Sequence, residues 1–221
     1  ETRKLLDMLT NDFGFSEHEI HTFFSGHRGY HIHVENEAAR SLDSMARKEI
    51  IDYVCGTGLS LFDKRGEEPV SKGKGKKKRS IPAFNLNDYG WKQRLKTGMR
   101  EFIKLANRED LAEVGLTTKT ITIILNKKEA ILSRCLEDNL WDSIPGVGVE
   151  TWTKIAEHVK NLQAAQIDTV VTSDVHRLIR AEHTLHGKTG LLKVEFPVKD
   201  LDEFDPFRGA VAFNEGKVRL L

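Results

Sequence analysis

The chain has 221 residues, with 34 Lys+Arg against 33 Asp+Glu and a formal net charge of +1. At 39% hydrophobic and 30% charged it is long and apolar enough to bury a core, as one large or two small domains, which excludes wholesale disorder. Its two cysteines, Cys55 and Cys135, exclude a disulfide framework and a four-thiolate zinc site, and no apolar run reaches the ~20 residues that span a bilayer.

Residues 3–13 predict a helix with Leu5, Leu6, Leu9 and Phe13 on one face. His21–Phe24 is β-prone, Ser25–Gly29 reads as a tight turn, and Tyr30–Val34 alternates. The alternation puts Tyr30, Ile32 and Val34 on one face and His31 and His33 on the other. Ala38, Leu42, Met45, Ile50 and Val54 predict an amphipathic helix over 37–54. Residues 63–80 predict a flexible basic loop, with Lys72, Lys74, Lys76, Lys77, Lys78 and Arg79 interleaved with Gly73 and Gly75. Helices are expected over 87–107, 118–137 and 149–162, and a strand over Ile167–Val171. A short helix over Asp174–Arg180 is expected next, capped by Ser173 or Asp174, then a strand over Leu191–Val198. Two β-prone runs, 210–213 and 217–220, close the chain. The expected architecture is α/β (α+β): a mixed β-sheet core from 1–58 and 165–221, with a helical insert over 59–164.

The near-zero net charge hides an asymmetry. Residues 64–108 hold 14 Lys/Arg and 4 Asp/Glu, so the rest of the chain is acidic. That pattern suggests a local contact with a polyanion, although a solvated lysine-rich loop has the same composition. The nine histidines fall in two groups, at 18–33 and 158–186, as if two distant segments shared a site. No signal-peptide pattern follows Glu1-Thr2-Arg3-Lys4, and the expected setting is intracellular, cytoplasmic and nucleoid-associated. The chain begins without Met, which leaves open that it is a fragment.

Ser25-Gly26-His27-Arg28-Gly29-Tyr30-His31 has the parts of a phosphate cradle. Its glycines let backbone N–H groups approach an anion, Ser25 adds a hydroxyl, Arg28 a planar fork, and His31 returns on the next strand. The same residues also suit a plain hairpin turn. Asp168 opens the second segment, where Arg177 and Arg180 stand three apart and His186-Gly187-Lys188-Thr189-Gly190 forms another basic turn. Strand-end and capping roles for Asp168 and Asp174 are equally open at this point. Asp200, Asp202 and Asp205 follow the last clear strand and read as surface.

Phe23 to Val34, with Ser25-Gly26-His27-Arg28-Gly29-Tyr30-His31 at its centre, resembles the Ser-Gly-x-Arg-Gly-x-His motif of the small catalytic subunit of archaeal and eukaryotic DNA primases. The run from Asp168 through Arg177 and Arg180 to Leu185-His186-Gly187-Lys188-Thr189-Gly190 resembles that family's later motif, and the archaeal form is the best match. The resemblance implies that Asp168, which stands 18 residues before His186 as the family's carboxylate does, is a catalytic, metal-binding aspartate. It implies that Ser25, Arg28 and His31 hold the triphosphate, with His27 in a slot that usually carries Asn or Arg. Arg180 and His186 would be further phosphate ligands, and Lys188 another candidate. It also implies Mg²⁺ or Mn²⁺, nucleoside triphosphates, a single-stranded DNA template and a primase large subunit as partners, with no membrane.

Two departures accompany the resemblance. Ala181-Glu182-His183-Thr184 replaces a Pro-containing segment that ends in Ser. The family's Asp-x-Asp pair and Cys/His zinc site precede the Ser-Gly motif, and the 24 residues before Ser25 hold neither. The expectation is therefore the C-terminal two-thirds of such a subunit, inactive alone or completed by another polypeptide. Ile144-Pro145-Gly146-Val147-Gly148 resembles a helix-hairpin-helix turn, and Gly146 and Gly148, with the basic loop, are candidate template contacts. The expected function is template-directed primer synthesis. The alternatives are a non-catalytic nucleic-acid-binding module and an end-joining repair polymerase, whose motif carries Lys-Gly in place of Arg28-Gly29.

Overall fold

A computed structural model describes residues 1–59, 89–134, 144–174 and 176–213. The expected basic loop at 63–80, with Lys72 to Arg79, and the run at 217–220 lie outside the described residues. The chain divides into two compact units, Glu1–Val54 with Ala165–Leu221, and Cys55–Ala164.

The first unit is built on a three-stranded antiparallel sheet in the order β2-β1-β3, from β1 (Ile20–Phe24), β2 (Tyr30–Val34) and β3 (Val194–Phe196). In register, His21 faces His33, Phe23 faces His31 and Glu195, and Phe24 faces Tyr30 and Val194. Side chains alternate across a sheet, so this pairing sorts them into two sets. Ile20, Thr22, Phe24, Ile32, Val34 and Phe196 occupy one face. His21, Phe23, His31, His33 and Glu195 occupy the other.

The apolar face meets α1 (Thr2–Asn11), whose Leu6 and Leu9 pack with Ile20, flanked by Phe13, Ile32, Val34 and Leu201. Met8 is fully buried on the same helix. A second cluster of Phe24, Phe196 and Ala210 gathers Tyr30, Leu191 and Phe204, with the Phe196 and Phe204 rings stacked at 4.3 Å. Ahead of β1, the Glu19 carboxylate accepts hydrogen bonds from the Ser16 hydroxyl and main-chain N–H and from the Asn36 side-chain amide. Those donors hold its pKa at about 2 and tie the chain entering β1 to the chain leaving β2.

The predicted helix over 37–54 is two helices, α2 (Glu37–Arg40) and α3 (Ser44–Val54). Asp43 breaks it: its carboxylate accepts from Ala46 N–H at 2.8 Å and starts a new helix. Met45 is consequently 74% exposed, while Ile51 and Val54 are buried.

In the second unit, α4 (Trp91–Leu105) packs on α8 (Val149–Gln163). Leu95, Met99 and Ile103 are buried on the first helix, and Trp152, Ile155 and Val159 on the second. Between them lie α5 (Arg108–Glu113), α6 (Thr118–Asn126) and α7 (Lys128–Arg134). The sequence reading misses α5, yet its signal is local: Asn107 and Asp110 cap each other's N–H groups at 2.9 Å. The single helix expected over 118–137 is interrupted at Lys127, and 135–137 lie outside the described residues.

Four further expectations are corrected in the first unit. Residues 169–173 form α9 (Thr169–Ser173), not a strand, because the Asp168 carboxylate caps it by accepting from Val170 N–H at 3.2 Å. Residues 176–180 are not helical; Asp174 instead accepts from His176 N–H at 3.0 Å in a local turn. The expected strand over 191–198 narrows to β3, since Pro197 and the following 3₁₀ turn end the pairing. The run at 210–213 forms a bridge between Leu191 and Val211 in place of a strand among the described residues, after the short α10 (Pro206–Gly209).

The α4–α8 contact depends on one small residue. A Cβ on Gly98 would stand 2.7 Å from Val159 Cγ1. Gly98→Ala is expected to destabilise the chain by about 1–3 kcal/mol, the usual cost of overpacking, read as a lowered urea midpoint.

Candidate functional site

The turn joining β1 to β2 is closed by Ser25 N–H donating to Gly29 C=O at 2.9 Å. The Ser25 hydroxyl oxygen accepts from Gly29 N–H at 3.3 Å and His27 N–H at 3.4 Å, so it organises the turn. Gly26 takes φ +83°, in the left-handed region. A Cβ there would stand 3.0 Å from both His186 Cβ and the Leu191 carbonyl oxygen, so only glycine permits the approach. The approaching segment is the second basic turn. His186 N–H donates to Leu191 C=O and Gly190 N–H to His186 C=O, each at 2.8 Å. The Thr189 hydroxyl donates to Gly26 C=O, and the His27 and His186 rings stack at 4.9 Å and 5°. The two turns that the sequence singles out are thus in direct contact.

Beneath them lies the histidine face of the sheet. Its decisive member is Lys193, which sequence reasoning misses. An alternating strand ordinarily sends a lysine to solvent, but Lys193 is only 2% exposed. Its ammonium donates to Arg180 C=O at 2.9 Å and sits 4.6 Å from the Phe23 ring centroid. His33 packs on the same ring at 4.5 Å. Arg180 in turn donates from Nη1 to Leu185 C=O at 2.8 Å, next to His186.

These cations act on one another. Burial pushes the His31 pKa down, Lys193 and Arg180 push it further, and Asp168 opposes them. His33 is lowered by burial, then by Lys193, His31 and His21, against Glu35. His186 is lowered by desolvation, then by Arg180, His27 and Lys188. Lys193 is lowered chiefly by burial, with Glu182 opposing and Arg180 assisting. His31 Nδ1 and His33 Nε2 are buried without hydrogen-bond partners among the described residues.

Arg28 and Lys188 are exposed near this cluster, and Lys188 N–H reaches His186 Nδ1 at 3.3 Å. Asp168 lies within electrostatic reach of His31, and its carboxylate is 3.6 Å from the Arg177 guanidinium. A separate cleft of about 260 Å³, lined by Arg3, Leu6, Asp7, Thr10, Ile20 and Asp202, holds no such gathering of groups. Arg3 and Asp202 pair there, and Asp205 caps α10 by accepting from Phe207 N–H at 2.9 Å.

The family model of the DNA primase small subunit matches residues 1–198. The chain belongs to that family. It is 34% identical to the DNA primase small subunit of Methanococcoides burtonii, over the whole chain and 58% of that relative. It is 34% identical to that of Methanothrix thermoacetophila, over the whole chain and 59% of the relative. It is 36% identical to that of Halorubrum lacusprofundi, over 94% of this chain and 53% of the relative. The chain therefore spans somewhat over half the length of these curated primase subunits.

Primase small subunits imply a divalent cation, and the residues here fit it only in part. Asp168 offers one carboxylate, already accepting from Val170 N–H and facing Arg177. Among the described residues no three His, Cys, Asp or Glu side chains converge as a metal site. No helix described is long and apolar enough to cross a membrane.

In the second unit, Gly146 takes φ +92°, in the left-handed region that favours glycine, and a Cβ there would stand 2.8 Å from Ile123 Cδ1. Gly148 caps the start of α8 and has open space around its α-carbon.

His31 and His33 titrate below their ordinary 6.5 in the folded chain. As pH falls, the unfolded chain takes up those protons first, so stability is lost as pH drops below that value. The urea midpoint is expected to decline from about pH 7 to about pH 5, with a shallower slope in His33→Gln. An unchanged slope in that variant would assign the loss to other groups.

Proposed function

We propose that the unit formed by 1–54 and 165–221 provides the triphosphate-binding side of a primase active site. The contact between the Ser25–Gly29 and His186–Gly190 turns carries this reading, because it gathers His27, His186 and Thr189 beside exposed Arg28 and Lys188. In the reaction, a primer 3′-hydroxyl oxygen forms a bond to the α-phosphorus of a nucleoside triphosphate. The bond from that phosphorus to the bridging oxygen breaks, pyrophosphate leaves, and the hydroxyl proton is lost. The chain extended is a short primer on a single-stranded DNA template.

The residues here work by binding and orientation. Arg28, Arg180 and Lys188 supply fixed positive charge to the β- and γ-phosphates. His31 and His186, whose pKa values are lowered by desolvation and by neighbouring cations, present N–H donors and gain basicity once a polyanion is bound. Ser25 shapes the turn and orients its N–H groups. Asp168 would contribute one carboxylate toward a bound Mg²⁺ or Mn²⁺, which would supply charge stabilisation at the phosphates.

We place sequence-neutral template contacts on the 59–164 insert, at Gly146, Gly148 and the Lys72–Arg79 run. We further propose pairing with a primase large subunit. A nucleic-acid-binding module without a nucleotide site is the competing reading.

Binding of ATP and dATP in the presence of Mn²⁺ separates the two. Arg28→Ala and His186→Ala are each expected to weaken binding by about 1.5–3 kcal/mol, the range for a charge-assisted hydrogen bond, without unfolding the chain. DNA binding with no nucleotide binding would favour the module. Template binding is expected to fall steeply with salt if the basic run is engaged.

A further inference from the structure

Lys193 is a buried cation with no carboxylate at ion-pair distance among the described residues, Glu182 acting on it only from further off. At 2% exposure its ammonium has left bulk water, yet among the described residues it forms no ion pair. Its contacts are the Arg180 carbonyl at 2.9 Å and the Phe23 ring at 4.6 Å. Desolvating an ammonium is costly, and one main-chain acceptor with one aromatic face returns only part of that cost. A methionine of similar length would fill the same space without the penalty. For stability alone, lysine is a poor choice here.

The position of the charge offers a reason. Continuing the register of β1 and β3 puts Lys193 beside Ser25, on the face that carries Phe23, His31 and His33. Main-chain bonds fix it: His183 N–H donates to Lys193 C=O at 2.8 Å, and Lys193 N–H to Thr184 C=O at 3.0 Å. From its ammonium a short relay runs outward. Nζ holds the Arg180 carbonyl, the Arg180 guanidinium holds the Leu185 carbonyl, and His186 follows with its ring against His27. Arg180 thus hangs directly from this buried ammonium, and His186 is the chain neighbour of the residue that Arg180 holds. The buried, unpartnered His31 Nδ1 and His33 Nε2 lie on the same face.

We propose that Lys193 is a positioning residue of the triphosphate site, anchoring the Arg180 main chain from below and supplying buried positive charge that a bound polyphosphate completes. The proposal rests on the nucleotide-site reading above. It assigns Lys193 no contact with the reacting atoms. Removing its charge lowers affinity for the polyphosphate part of the nucleotide and spares whatever recognises the base.

The test compares the unaltered chain with Lys193→Met and Arg28→Ala, using ATP and inorganic tripolyphosphate as probes at two salt concentrations, with thermal unfolding of each. Lys193→Met is expected to keep or raise the melting temperature and to weaken both probes about tenfold, as loss of one nearby charge in a partly screened site predicts. Its affinity should also depend less steeply on salt. A lowered melting temperature with unchanged affinity would make Lys193 merely structural and overturn the proposal. If Arg28→Ala weakens binding while folded Lys193→Met does not, the proposal fails and the nucleotide site stands. If the unaltered chain binds neither probe, both fail. Should Lys193→Met not fold, the Lys193 side-chain ammonium resonance of the unaltered chain decides. A shift on adding tripolyphosphate supports the role, and no shift overturns it.

Discussion

Antiparallel pairing of β1 with β2 on one side and β3 on the other constrains every group near the site. A strand repeats every two residues, so one register sends Ile20, Phe24, Ile32 and Phe196 to the core and His31, His33 and Glu195 to the opposite face. A one-residue slip would exchange the sets, burying imidazoles against α1 and exposing phenylalanines. The hydrophobic contacts of Leu6 and Leu9 with Ile20 therefore do more than stabilise the unit. They determine which face carries the histidines.

Upon that face sits the contact between two glycine-containing turns. Gly26 admits His186 and Leu191 at a distance no Cβ allows, and Thr189 closes the gap with a hydrogen bond to the Gly26 carbonyl. The outcome is a concentration of donors and cations with little compensating negative charge. Asp168 is the carboxylate that acts on His31, and it is shared with Arg177. Desolvation first, and then this imbalance, lowers the pKa of His31 and of His186, because protonating either would add charge beside Arg180. An anion relieves it, which is the physical reason a triphosphate suits the site.

The second unit follows different rules. Caps set its helix boundaries, as at Asn107 and Thr117, and its packing turns on a glycine, Gly98, that lets α4 approach α8. Family membership belongs to the chain through the match over residues 1–198. The chemistry proposed for it belongs to the turns and the strand face of the first unit.

The hairpin, its alternation, the helical character of the middle segment and the two basic glycine turns were legible in the amino-acid order alone. These are local patterns, carried by residues a few positions apart. That order also carried the signals for the break at Asp43 and for α5, through capping residues that a reading by hydrophobic period passes over. The β-branched run at Thr169–Val171 misled that reading, because Asp168 caps a helix there. That Gly26 meets His186, that His27 stacks on it, and that Lys193 is buried beneath Arg180 emerges from the folded arrangement. Those facts depend on the β1 hairpin and the segment around β3, about 160–170 residues apart in the chain, being closed together. Local periodicity carries no information about such closure, whose entropic cost is recovered only when the distant strands pair.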